Sequence, residues 1–402
     1  MLKRQAIAVL VLVCFNGDPA LAILDPAIVI DVPPPDEPVR FYTGYSLAHD
    51  SNLLRATEDE GEASDTLHRL DVGVELKLKL NRQLATVRLD ASRNEFERFT
   101  QLDYDGRDLL GRLDWLVGNR WHGDISYSNT RTLNKLTELQ SPTRDLLTQQ
   151  RGFANALYRL DPTWSISGGL EYFELEHSAT GQEVFDRRED AINLNLHYLN
   201  AVKNKLALQI KAIDGQLPER EFQPGVVIDN DYRQFELGAI ADWYLTGKTL
   251  LRGGIGYTQR NYREMADRDI DGVTGRLTLH WFATAKTEIA FTGLREISAV
   301  EDFTAAYALT SGVSVAPLWT PTEKIRVEGD FYYQERDFEG EVASEDAQRR
   351  DEVHGANLSL SYTPREKIRL AVMAQTEKRD SNRESKDYRY NIVGVSVRIE
   401  FY

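Results

Sequence analysis

Short polar turn signals recur along this chain at intervals of roughly 40 residues, and they restrict its fold more than any other feature. The segments that flank them, of about 10 to 13 residues, alternate apolar and polar side chains, which gives each strand one apolar face and one polar face. Two strands per turn, plus the first and the last, predict about 18 strands with both chain ends at one rim. The turn signals lie at Asn81–Gln83, Gly118–Arg120, Asp161–Thr163, Ala201–Asn204, Thr246–Lys248, Thr284–Lys286, Pro321–Glu323 and Pro364–Glu366.

Every tryptophan lies within about five residues of one of these turns, a distribution that a soluble sheet would have no reason to adopt. In a membrane the amphipathic indole settles at the interface between lipid and water. The six residues predicted to form this interface girdle are Trp115, Trp121, Trp164, Trp243, Trp281 and Trp319. The pattern predicts an all-β fold, a single antiparallel transmembrane β-barrel with short periplasmic turns and longer external loops.

The composition agrees with a membrane barrel although it resembles that of a soluble protein. Charged residues make up 28% of the chain, hydrophobic residues 42%, and the formal net charge is −15. A barrel has such a composition because half of every strand is polar and no long apolar run is required. The negative charge disfavours nucleic acid, which requires a basic surface, so no nucleic-acid partner is expected. Outer-membrane lipid is the expected surrounding of the predicted barrel.

Residues 1–22 have the features of a signal peptide: a charged start at Lys3 and Arg4, an apolar core, and the small residues Ala20 and Ala22 at a cleavage site. We therefore expect export and residence in the outer membrane of a Gram-negative bacterium after cleavage. Residues 23–38 are proline-rich and are predicted to form an extended periplasmic tether. Residues 39–402 are then the barrel. The single cysteine, Cys14, lies in the leader.

The last strand carries a second indication of a membrane barrel. Apolar residues alternate with polar ones from Val393 onward, and the chain ends in Phe401 and Tyr402. An amphipathic C-terminal strand that ends in an aromatic residue is a common outer-membrane assembly signal, and we assign that role to these two residues. The alternative is a buried terminal strand of a soluble sandwich, against which the tryptophan positions count.

Charged residues on the polar faces of the strands are the candidate functional set. A charge facing lipid at mid-membrane costs about 2–4 kcal/mol, so these side chains are expected to face the lumen. They are either a salt-bridge lattice that stiffens the wall or a conduction path whose charges set selectivity, and the two roles are compatible. The predicted lumen-lining residues are Lys77, Lys79, Arg88, Arg112, Arg252, Arg276, Arg326, Arg369, Arg398, Glu75, Asp90, Asp114, Asp124, Glu236, Asp242, Glu328, Asp330 and Glu400. The five arginines from Arg252 to Arg398 are expected to face carboxylates on neighbouring strands.

No catalytic motif stands out in the sequence. It contains no phosphate-binding glycine loop, no nucleophile elbow and no histidine or cysteine set with metal spacing. The acidic loops lack the spacing of a calcium loop, so we predict no metal, no cofactor and no enzymatic step.

Eight short stretches occur in order along the expected barrel: Ser64–Thr66, Leu102–Tyr104, Thr132–Asn134, Asp231–Gln234, Leu245–Lys248, Ala316–Trp319, Tyr333–Arg336 and Arg349–Asp351. With these stretches the chain resembles the EpsL-type outer-membrane barrels found with exopolysaccharide biosynthesis systems, often alongside exosortases. The resemblance implies a non-enzymatic channel that exports a secreted polysaccharide. It also implies partners among the periplasmic or inner-membrane proteins that synthesise and export the polymer.

Three other functions remain open at this stage: a diffusion or substrate-specific uptake porin, a barrel enzyme acting on lipid or glycan, and an adhesin or scaffold. The alternation of the strands does not distinguish the direction of transport.

Overall fold

The computed structural model describes residues 38–59, 61–223, 226–264, 266–298, 307–339 and 349–401. The expected leader, nearly all of the expected tether, and Tyr402 lie outside this set. The strands are β1 (Val39–Asp50), β2 (Asp65–Leu80), β3 (Gln83–Phe96), β4 (Tyr104–Val117), β5 (Trp121–Leu133), β6 (Leu146–Arg159), β7 (Trp164–Glu176), β8 (Arg187–Leu199), β9 (Lys205–Gln216), β10 (Arg220–Gln223), β11 (Val226–Ile228), β12 (Tyr232–Thr246), β13 (Thr249–Tyr262), β14 (Ile270–Thr284), β15 (Thr287–Ser298), β16 (Tyr307–Thr322), β17 (Ile325–Glu339), β18 (Arg350–Arg365), β19 (Ile368–Ser381) and β20 (Tyr388–Phe401).

Helical structure among the described residues is confined to single turns. One α-helical turn, α1, spans Leu136–Leu139, and 3-10 turns span Thr100–Leu102, Glu183–Phe185, Ala266–Arg268 and Glu384–Lys386. No helix in the described part of the chain is long and apolar enough to cross a membrane.

The long strands form one closed antiparallel barrel of 18 strands, in which each strand pairs with its neighbours in the chain. Strands β10 and β11 form a separate small hairpin, so that β9 pairs directly with β12. The barrel closes where β1 pairs with β20, with Phe41 opposite Phe401. Closed antiparallel barrels leave no unpaired strand edge. The predicted fold class and strand number are confirmed, and the start of β1 and the end of β20 lie at the same rim.

Each of the eight predicted turns joins two barrel strands, and several share one construction. In the turns after β12, β14 and β16, a threonine hydroxyl accepts the backbone N–H of a lysine two residues later, over 3.1 to 3.3 Å. The same lysine reaches the next hairpin through its ammonium group, which donates to a backbone carbonyl there. These contacts are Lys248 to Ala283 (3.5 Å), Lys286 to Pro321 and Lys324 to Pro364 (3.2 Å). We call them the lysine staples.

The outer face of the wall carries an apolar band. On β2 the alternate residues from Leu70 to Leu80 point outward, and Leu70, Val72, Leu78 and Leu80 are exposed. Beyond the band, toward the long loops, the outward positions become charged and paired, as in Arg188–Asp190 at 3.0 Å. The band is the surface that a bilayer would cover, because exposed apolar side chains in such number would be unfavourable in water.

Three tyrosines on the inner wall each lie flat across a glycine on the adjacent strand and donate to a carboxylate one strand further on. A side chain on the glycine would collide with the ring, so the bare backbone makes this reach possible. The three sets are Tyr42–Gly73–Asp90, Tyr232–Gly215–Glu189 and Tyr332–Gly355–Glu377. Each set ties three consecutive strands together through side chains.

Candidate functional site

The inner wall is the candidate site, and most of its predicted charges lie in ion pairs. Several pairs join residues two apart on one strand, where both side chains face the lumen. These are Lys77–Glu75 at 2.8 Å, Arg88–Asp90 at 3.2 Å, Arg112–Asp114 at 2.8 Å, Arg326–Glu328 at 2.6 Å and Arg398–Glu400 at 3.8 Å.

Other pairs cross between neighbouring strands. They are Arg88–Asp108 at 3.2 Å, Arg112–Asp124 at 3.4 Å, Arg252–Asp242 at 3.3 Å, Arg276–Glu296 at 2.6 Å and Arg40–Glu400 at 3.8 Å. Glu236 accepts a hydrogen bond from Gln234, and Lys79 and Asp330 also lie in inward positions. Among the described residues, Arg369 has no carboxylate within ion-pair distance.

Of the five arginines expected to face carboxylates on neighbouring strands, the structure therefore places two that way, Arg252 and Arg276. Arg326 and Arg398 pair within their own strand. Cations and carboxylates so interleaved leave little net field along the wall. Their roles as stiffening lattice and as selectivity-determining lining remain predictions.

One sector of the wall, formed by β6 to β9, was not anticipated from the sequence, and it is rich in side-chain amides. Asn195 donates to Asn193 at 2.9 Å and to Ser167 at 3.2 Å, and it accepts from Gln209 at 2.9 Å. The run Asn193-Leu194-Asn195-Leu196-His197 places three polar, uncharged side chains on one face, and this spacing was the available signal. We call this region the amide sector.

A serine and a histidine meet at one edge of the amide sector. Ser167 Oγ lies 2.7 Å from His197 Nε2, and both side chains are buried. A hydrolytic pair would have to present its hydroxyl to a substrate, which burial here prevents. The described residues also include no group of three or more potential ligands placed to hold a metal ion.

The external mouth is crossed by the segment between β5 and β6, residues 134–145, which we call the strap. Leu136 of α1 packs in a buried cluster with Phe96, Leu102, Tyr104 and Leu146. Gln140 donates to the backbone carbonyl of Arg55 at 2.9 Å. The strap is therefore packed onto the loops of the first strands instead of projecting outward.

The strap also contacts a distant strand. Arg379 of β19 donates to the backbone carbonyl of Thr137 at 2.9 Å, although β4, β3, β2, β1 and β20 separate β19 from β5. Thr137 follows the end of β5 by four residues, which span at most about 14 Å. The strap and the inward-pointing arginine together bridge this side of the mouth.

Three fully buried charges support this bridge. Arg379 also donates to the carbonyl of Lys386 at 2.6 Å, and its guanidinium lies 4.4 Å from the ring of Tyr388. Asp351 pairs with Arg349 at 2.5 Å and lies 3.9 Å from Arg379. Buried charges require such partners, because a lone one would be strongly destabilising.

A smaller ionic contact joins two external loops outside the strands. Arg263 pairs with Asp229 at 2.7 Å and with Asp231 at 3.1 Å. The backbone N–H of Asp231 and the Arg263 guanidinium hold the pKa of the Asp229 carboxyl below its usual range. The pair between Arg263 and Asp229 is present at neutral pH and is lost only as the pH falls through the lowered pKa of Asp229.

The tryptophans occupy outward positions near the short turns. Trp121 and Trp164 are exposed and pack beside Tyr158 and Tyr198, with ring centroids 4.8 and 5.2 Å apart. Trp281 and Trp319 are exposed in the outward rows of their strands, and Trp115 and Trp243 follow the same alternation. Phe401 is exposed on the outer face beside the closure. The girdle and assembly roles remain predictions.

Comparison with known proteins identifies a family model and solved structures that are also β-barrels. Residues 234–401 match the family model described as "Putative beta-barrel porin 2". The fold is similar to that of OccK1 (OpdK) of Pseudomonas aeruginosa, with a TM-score of 0.52, 12% identity, and coverage of 90% of this chain and 99% of that one. It is also similar to OccAB3 of Acinetobacter baumannii, with a TM-score of 0.50, 10% identity and the same coverages. No curated protein matches the sequence.

At such low identity the solved structures show a shared fold. The chain has the fold of an outer-membrane β-barrel, and its C-terminal part is similar to a porin family.

Proposed function

We propose that this protein is an outer-membrane channel through which a secreted polysaccharide leaves the cell, with no catalytic step. The observation that carries the proposal is a closed wall with an apolar outer band and a polar, ion-paired inner face. Such a wall suits conduction, because a hydrated permeant finds hydrogen-bonding groups that hold it only weakly. The resemblance to EpsL-type barrels supplies the polymer as the permeant.

A genetic experiment tests this function. An in-frame deletion in the source bacterium should reduce polysaccharide in the medium and raise it in the periplasm, and a plasmid copy of the full-length gene should reverse both changes. Normal release by the deletion strain would contradict the proposal.

A porin for diffusion or uptake is the second candidate, and the match to a porin family model favours it. The same strain separates the two functions. Slower uptake of small solutes with normal polysaccharide release would support the porin and exclude export.

A further inference from the structure

Beside the amide sector, the inner wall carries a group of side chains that combines an aromatic ring, a carboxylate and amides. Phe153 of β6 lies opposite Ser126 and Glu171 in the register, so its ring faces the lumen from an otherwise polar wall. It is only partly buried. We call Phe153, Glu171, Asn193, Gln209 and Lys211 the inner strip.

The carboxylate of this strip is held in place yet remains accessible. Asn193 donates to one oxygen of Glu171 at 3.0 Å, and Lys211 donates to the other at 2.7 Å. The Glu171 side chain is still 40% exposed. It can therefore accept further hydrogen bonds from a molecule in the lumen, since each carboxylate oxygen has two acceptor positions.

The aromatic ring is also more open than its neighbour. Phe173, on the next strand, has the guanidinium groups of Arg151 and Arg187 at 4.8 and 4.9 Å from its centroid. The one described guanidinium near Phe153, that of Arg112, lies 5.9 Å away. The face of Phe153 is thus the less occupied of the two.

We propose that the inner strip is a contact site for neutral sugar units of the transported polymer, an inference that rests on the proposed function. A pyranose stacks its C–H face on an aromatic ring and shares its hydroxyls with carboxylates and amides. The ion pair between Glu171 and Lys211 leaves the strip without net charge, which favours a neutral chain over an anionic one. Contact with one ring and a few polar groups is weak enough for the polymer to move on.

Current blockade in planar bilayers tests this site on the purified full-length barrel. Maltohexaose, a neutral probe, should interrupt the ion current of the native channel at lower concentrations than hexagalacturonate, an anionic one. Phe153→Leu should raise the half-blocking concentration of maltohexaose about tenfold, equivalent to one aromatic contact. Phe153→Tyr should keep the native value, and so should Thr278→Val on β14.

Three outcomes would overturn the inference: no blockade of the native channel by maltohexaose, a Phe153→Leu channel that is blocked normally, or stronger blockade by hexagalacturonate. Gln209→Leu provides a second test should Phe153→Leu fail to migrate as a folded barrel on unheated gels. The blockade experiment uses purified barrel in a bilayer, so its result does not depend on whether the protein exports polysaccharide in cells. Normal polysaccharide release by the deletion strain would therefore refute export and leave the sugar site standing, whereas absent blockade with intact export would refute the site alone.

Discussion

At the residue scale, the inner wall depends on glycines that leave room for rings. Tyr332 crosses Gly355 to reach Glu377, and Tyr388 donates to the same carboxylate at 2.7 Å. The ring cannot swing aside without losing its hydrogen bond, so the glycine has a packing role that alternation alone does not reveal. Sequence periodicity identified the strand but not this contact, because it joins three strands.

Gly355→Ala should destabilise the barrel by about 1–3 kcal/mol, since the added methyl would overpack the ring of Tyr332. The matched control is Gly293→Ala, where a new methyl meets no neighbour within 4 Å. Thermal loss of the folded gel band gives the comparison. Equal midpoints for both variants would contradict the packing role.

The arginines of the wall should divide into two kinds. Arg276→Gln leaves Glu296 without its 2.6 Å partner, so it should shift permeability toward cations and also lower thermal stability. Arg369→Gln should shift permeability alone, because its cation has no carboxylate partner within ion-pair distance in the described structure. Reversal potentials and melting midpoints measured on both variants decide the matter. An Arg276→Gln channel that is less stable but keeps the native ion selectivity would identify the pair as purely structural.

At the element scale, the short turns are the part of the fold best encoded in local sequence. In three turns a threonine stands two residues before a lysine, and the other five carry Asn, Gly, Asp or Pro, residues that favour chain reversal. The alternating flanks define the two faces of each strand, so all eight turns and the barrel strands were predictable. The strap was not predictable, because Thr137 and Arg379 are 242 residues apart in the chain. The small hairpin of β10 and β11 was missed for a different reason: it is too short to show periodicity.

Lys286→Met should lower the thermal midpoint of the barrel, because it removes the staple between two hairpins at the rim. Glu323→Gln, in the neighbouring turn, is the control and should have no effect. Triple replacement of Lys248, Lys286 and Lys324 should add the single effects, since the three contacts share no partner. A triple variant that melts like the native barrel would show that the staples do not contribute.

Arg379→Met should break the contact between the strap and β19, and so increase single-channel conductance. Asp351 keeps its ion pair with Arg349 in this variant, so no buried charge is left alone. Lys378→Met, next in sequence but on the outer face and paired with Asp380, is the control and should conduct normally. Native conductance from a folded Arg379→Met channel would show that the strap does not restrict the mouth.

At the scale of the whole molecule, the barrel exists only when its first and last strands meet. Arg398 lies 3.6 Å from the ring of Tyr42, and Arg40 reaches Glu400 across the same seam. Strand number and closure followed from counting turns, because an even count returns both ends to one rim. The side-chain contacts inside the barrel could not be predicted in this way, because the shape of the barrel, as well as the order of the strands, decides which inward side chains meet.

Phe401→Asp should reduce the amount of barrel in the outer membrane. The residue is exposed on the outer face opposite Phe41, where a carboxylate would face lipid. Phe401→Leu should assemble nearly normally because it stays apolar. Membrane fractions probed for both variants provide the measurement, and normal abundance of Phe401→Asp would refute the assembly role.

The lysine staples also have a consequence for accuracy during folding. A strand whose pairing register shifts by one residue turns its apolar face toward the lumen, which is strongly unfavourable in a membrane. A shift by two residues keeps every side chain on its proper face. The alternation of apolar and polar residues does not distinguish the native register from one shifted by two residues. The staples do distinguish them, because each ammonium contacts one particular carbonyl of the following hairpin. We expect the three staples to disfavour a two-residue slip among the four hairpins that they join, from β12–β13 to β18–β19.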